Sequence, residues 1–253
     1  MESQHDDRTS PAGEQRHGAP YFSLASLFLW LTVLGMTFAY WKWFCDYSLT
    51  TWGRTPKWDV LNLRLQYAHI ALLQSTGITG MMLLLRWRWQ GRKVPWQPGH
   101  LILLHLALSI TYLMAVRLCW YFPLDGNLDQ MQPWRMLLLH SSAFAGALFG
   151  AMIYAGGTLV LRGSWVWTIT LAILAVQSVC LAFVDCPLFR APYPSWYRTL
   201  QDISPWLFAA SYAALLLAAI WGVFQRDRRD WLHWAGVGAG LVPHVPAIYN
   251  WVL

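Results

Sequence analysis

Long apolar runs broken by short polar segments fill the chain from residue 22 onward. The runs fall at 22–43, 66–85, 100–121, 136–161, 164–184, 205–224 and 231–252. Each has roughly the 20 residues that cross about 30 Å of hydrocarbon at 1.5 Å per residue. The pattern predicts an all-α fold: a polytopic bundle of seven transmembrane helices, forming a single domain over 21–253. Only Arg162 and Gly163 separate the fourth run from the fifth. The seventh contains Pro243 and Pro246, so it is expected to kink or re-enter rather than run straight. Residues 1–20 are polar and rich in charge, Gly and Pro. They have no apolar face to bury and are read as a disordered tail. The first apolar run is too long for the core of a secretory signal and lacks a small-residue cleavage site.

Composition supports this reading. Hydrophobic residues make up 57% of the chain and charged residues only 12%, about half the usual charged share. The net charge of +6 does not point to nucleic acid, because the basic residues form short clusters between apolar runs rather than a stripe on a polar face. Those clusters predict orientation. The second, fourth and sixth loops are short and hold Arg86, Arg88, Arg92, Lys93, Arg162, Arg226, Arg228 and Arg229. The opposite loops are longer and carry Asp46, Asp59, Asp125, Asp129, Asp185 and Asp202. Basic density places the even loops and the N-terminus in the cytoplasm and the C-terminus outside, in a plasma (inner) membrane. Most of the 18 Trp sit at the ends of apolar runs, where an indole lodges its apolar body and its N–H at the lipid–water boundary.

Polar groups within lipid are costly and mark candidate sites. No Asp or Glu lies within any predicted span, and no Lys lies deep in one. This argues against a carboxylate proton relay and against a retinal-type Schiff base. Arg117 lies inside the third span near its outer end, either snorkelling or meeting an anionic group such as a haem propionate. His69, His140 and His244 fall about 5, 7 and 12 Å deep on the same outer side. With Arg117 they form the candidate cofactor site, His69 and His140 being the candidate metal ligands for haem iron or copper. The competing reading is that each imidazole bonds to a neighbouring helix, for example through Ser141 or Ser142. His100, His105 and His233 lie near the inner ends of their spans. Cys45, Cys119, Cys180 and Cys186 all map to the outer side, where a disulfide would persist. Gly146 and Gly150 form a GxxxG, and Gly236, Gly238 and Gly240 line the seventh run. Such stripes let helices pack closely, within the bundle or against another membrane subunit.

Seven spans with outer histidines superficially resemble zinc-dependent amidases of the alkaline ceramidase type. The motifs of that family are absent: there is no HxxxH, Leu65 and Met136 occupy the positions four residues before His69 and His140, and no span holds an Asp. Seven spans are similar in number to the third subunit of haem–copper oxidases, but its intramembrane Glu is missing. No GxSxG, Walker A, HExxH or Gly-rich dinucleotide loop occurs. The leading expectation is therefore a non-catalytic scaffold or accessory subunit in the bilayer. A haem- or copper-binding redox protein and a small-molecule or lipid transporter are the alternatives.

Overall fold

The computed structural model describes residues 23–51, 57–92, 95–121, 133–161, 164–186, 195–225 and 229–242. These residues form seven α-helices and no strand: α1 (Leu24–Thr51), α2 (Lys57–Trp89), α3 (Pro98–Tyr121), α4 (Pro133–Val160), α5 (Trp165–Asp185), α6 (Ser195–Phe224) and α7 (Trp231–Leu241). The tail at 1–20 lies outside them.

Six helices are long and apolar enough to cross a membrane, over Leu24–Asp46, Val60–Trp89, Pro98–Val116, Ala143–Val160, Trp165–Val184 and Trp196–Phe224. Large apolar side chains on their outward faces are consistent with this: Met36, Met152, Leu159, Leu217 and Phe224 are all exposed, as they are where a bundle faces lipid or an apolar partner. The seventh expected span is described only in part. α7 covers 11 residues, and Pro243, His244 and Pro246 lie outside the described residues.

Helix ends depart from the apolar runs in a systematic way. α2 begins at Lys57 and α6 at Ser195, each about nine or ten residues before its predicted span, because helix formation does not stop at the edge of the apolar run; the stretches long and apolar enough to cross likewise start earlier, at Val60 and Trp196. In α6, Pro205 was expected to open the span. It stands instead in the helix interior, and the extra turns are fastened where the Tyr197 hydroxyl donates to the Val184 carbonyl at 2.9 Å. In α1 the apolar stretch extends to Asp46, which pairs with Lys42 at 2.7 Å on an exposed face. The expectation that no acid enters a span is thus corrected: Asp46 falls at the end of Leu24–Asp46 and Asp202 within Trp196–Phe224, both on exposed faces.

Helices adjacent in sequence pack against one another from α1 to α6. α7 then returns to lie on α3, with further contacts to α2 and α6. The main apolar core joins Leu101 and Ile102 of α3, Tyr154 of α4, Trp167 and Leu171 of α5, Leu215 of α6 and Val237 of α7. The small-residue stripes lie within this fold. A Cβ on Gly146 would meet Ser109 at 3.5 Å, and one on Gly150 would meet His105 and Ser178 at 2.8 Å. One on Gly240 would meet Leu215 and Ile102 at 3.0 and 3.1 Å. The closest approach is α3 against α7: a Cβ on Gly236 would lie 2.0 Å from the Gly99 carbonyl oxygen.

Candidate functional site

That backbone contact between Gly99 and Gly236 brings the N-terminal ends of α3 and α7 together and sets the geometry of a buried polar cluster. Asp230 is the N-cap of α7, its Oδ1 accepting from the His233 backbone N–H at 2.9 Å. A capping carboxylate satisfies an otherwise unpaired amide and meets the positive end of the helix dipole. The same Oδ1 lies 2.9 Å from His100 Nε2 across the interface. His100 and His233 are fully buried, and Asp230 is nearly so.

Three more bonds complete the cluster. The Gly99 N–H donates to His233 Nδ1 at 2.9 Å, and the Asp230 N–H donates to Gln97 Oε1 at 3.3 Å. The Gln97 N–H donates to His100 Nδ1 at 3.3 Å. These directions fix the tautomers. Each imidazole has a bare Nδ1 that accepts from a backbone amide, so a neutral ring carries its proton on Nε2. Asp230 is therefore an ionised acceptor of a neutral His100 N–H. Burial pushes its carboxyl up, but hydrogen bonding to His100 and to the His233 amide lowers it, and the carboxyl stays below the ordinary carboxylate value.

The chemistry open to this cluster is narrow. Both nitrogens of His100 are occupied, so it has none left to take a proton from a substrate. His233 Nε2 and Trp167 Nε1 are buried and have no partner among the described residues. The His233 ring is enclosed by Trp167 at 5.1 Å and Trp234 at 5.0 Å, both edge-to-face. The arrangement works as a clamp that fixes α7 on α3.

Deeper in the bundle, polar side chains are likewise used to join helices. His105 Nδ1 bonds to the Tyr154 hydroxyl at 2.6 Å, and the Ser109 hydroxyl donates to the Gly146 carbonyl at 3.2 Å. Trp41 Nε1 donates to Gln74 Oε1 at 2.9 Å, and Gln74 Nε2 contacts Met114 Sδ. Thr37 donates to the Ala71 carbonyl at 3.2 Å. Interhelical bonds of this kind are the usual adhesive of helices in lipid.

The expected outer site is only partly placed. His69 is half-buried on α2. Arg117 and Cys119 on α3, and His140 on α4, have a described backbone but undescribed side chains, and His244 falls outside the described residues. The expected convergence of His69, His140, His244 and Arg117 therefore lies outside the described residues. Among the described residues no three His, Cys, Asp or Glu side chains cluster as metal ligands would. Cys45, Cys180 and Cys186 are free thiols. The polar cluster that the structure does assemble lies at the opposite end of the bundle and is built from His100, His233 and Asp230, none of which belongs to the expected outer site. No family model matches the chain, and no curated protein or solved structure shows detectable similarity to it.

Proposed function

We propose that the chain is a non-catalytic, multi-pass component of the plasma (inner) membrane, acting as a scaffold or accessory subunit of a membrane assembly. The observation that carries this reading is how the interior polar groups are used. His100, Asp230, His105, Tyr154, Gln74 and Thr37 bond to neighbouring helices, and the most polar cluster is sealed from water. In this reading the N-terminus and the clamp lie on the cytoplasmic side, as the basic loops imply, and the chain ends outside.

Extraction of the full chain from its native membrane in a mild polymer tests the proposal. The expected particle contains the 29.1 kDa chain in fixed ratio with at least one other membrane protein. A particle holding this chain alone, or one with a Soret band or stoichiometric copper, refutes the proposal. In the second case His69→Ala and His140→Ala variants would show whether the cofactor belongs to the outer histidines.

A further inference from the structure

α1 and α7 both pack on α2 at the same end of the bundle, yet they have no extended contact with each other. The gap between them is a crevice of about 460 Å³, within the range of small-molecule sites. Its walls include Leu27 and Trp30 from α1, Leu72 and Thr76 from α2, and Leu232 and Gly238 from α7. The polar atoms of the wall are partly tied off: Trp30 Nε1 donates to Thr76 Oγ1 at 3.2 Å, and Thr76 Oγ1 donates to the Leu72 carbonyl at 2.9 Å. On the α7 wall, a Cβ on Gly238 would meet nothing within 4 Å, so the absence of a side chain there leaves open space.

Depth and charge indicate an occupant. Trp231, at the start of α7, lines one end of the crevice and meets the buried Trp87 edge-to-face at 6.4 Å. Leu72, Thr76, Thr79, Leu83 and Arg86 follow one another at intervals of three and four along α2, so they share one helix face. Arg86 therefore stands on the crevice side, about 10 Å above Thr79. It is exposed and has no ion-pair partner among the described residues. An apolar slot that runs along α2 from Leu72 to Gly80, about 12 Å, with a cation beyond its end on the same helix face, matches a molecule with one long apolar chain below a negative head.

We infer that the α1–α2–α7 crevice holds an acyl chain of an anionic phospholipid, whose phosphate is held at the membrane surface by Arg86. This goes beyond the scaffold reading and stands independently of it. The test uses the full chain in nanodiscs containing phosphatidylglycerol or phosphatidylcholine with a diazirine in the acyl chain, with cross-links mapped by peptide mass spectrometry. The expected result is preferential labelling around Trp30 and Gly238 by phosphatidylglycerol. Met152 and Leu159, exposed on α4, serve as the bulk-lipid reference. Arg86→Gln should lower the preference about fivefold, as loss of one basic contact at an anionic surface implies. Gly238→Leu should reduce crevice labelling without changing labelling of α4. Equal labelling by the two lipids, or crevice labelling unchanged by Gly238→Leu, overturns the inference. So does an absence of crevice labelling, as would follow if the chain beyond Val242 or a second copy fills the slot.

Discussion

Gly236→Ala and Gly238→Ala place the same methyl group on one helix, two residues apart, and should move stability in opposite directions. At Gly236 the new carbon would lie 2.0 Å from the Gly99 carbonyl oxygen and 2.7 Å from its carbonyl carbon. A carbon–oxygen contact settles at about 3.3 Å or more, and the obstacle is backbone that cannot rotate away. α7 must therefore withdraw from α3 by roughly 1 Å. The Gly99–His233 and His100–Asp230 bonds at 2.9 Å and the Asp230–Gln97 bond at 3.3 Å would then stretch beyond useful length. Two neutral bonds at about 1 kcal/mol each and one charge-assisted bond at about 2 kcal/mol give a loss of about 4 kcal/mol. The gain in helix propensity returns about 1 kcal/mol, leaving a net loss of about 3 kcal/mol. At Gly238 only that gain applies, because nothing lies within 4 Å. Thermal unfolding in detergent, followed by tryptophan fluorescence, reads the difference, since Trp167 and Trp234 border His233. If Gly236→Ala unfolds at or above the wild-type temperature, or both variants shift equally, the described α3–α7 contact is wrong.

Asp230→Ala leaves the His100 Nε2–H and the His233 amide without an acceptor and should cost about 3 kcal/mol at neutral pH, whereas Asp230→Asn, which keeps an acceptor, should cost about half as much; paired melting curves distinguish them. Because the Asp230 carboxyl is held below its ordinary value, its contribution is complete above an unfolded value of about 3.9 and is lost as pH falls through the folded value. An acid titration should therefore show a stability loss in wild type that Asp230→Asn lacks. Tyr154→Phe removes the partner of His105 Nδ1 and should lower stability by about 1 kcal/mol, with no change in the protection of α7 from hydrogen exchange. A reporter fused after Leu253 should be active only on the outer side if the seventh segment crosses, and only on the cytoplasmic side if it turns back.

The helices were legible because hydrocarbon thickness imposes a length on every apolar run, and six of the runs match helices of that length. Their ends were less so, since helix formation does not stop where apolarity stops, as the early turns of α2 and α6 illustrate. The clamp was missed for a more specific reason. Counting acids inside apolar windows treats residue 230 as loop, although an Asp placed three residues before His233 has the spacing of an N-cap to its N3 amide. That local half of the cluster was readable. Its other half was not: His100 lies 130 residues away, and nothing in one sequence indicates that the ends of α3 and α7 meet. The glycines supplied the missing constraint, but only in three dimensions. Gly99 and Gly236 are unremarkable as a loop glycine and one member of a stripe. Once the two backbones cross with no room for a Cβ, their neighbours His100, Asp230 and His233 are forced into contact, and Asp230 satisfies both the His100 ring and the His233 amide. In lipid, where unpaired polar groups are costly, that mutual satisfaction is what permits an ionised carboxylate to sit against the end of a membrane bundle.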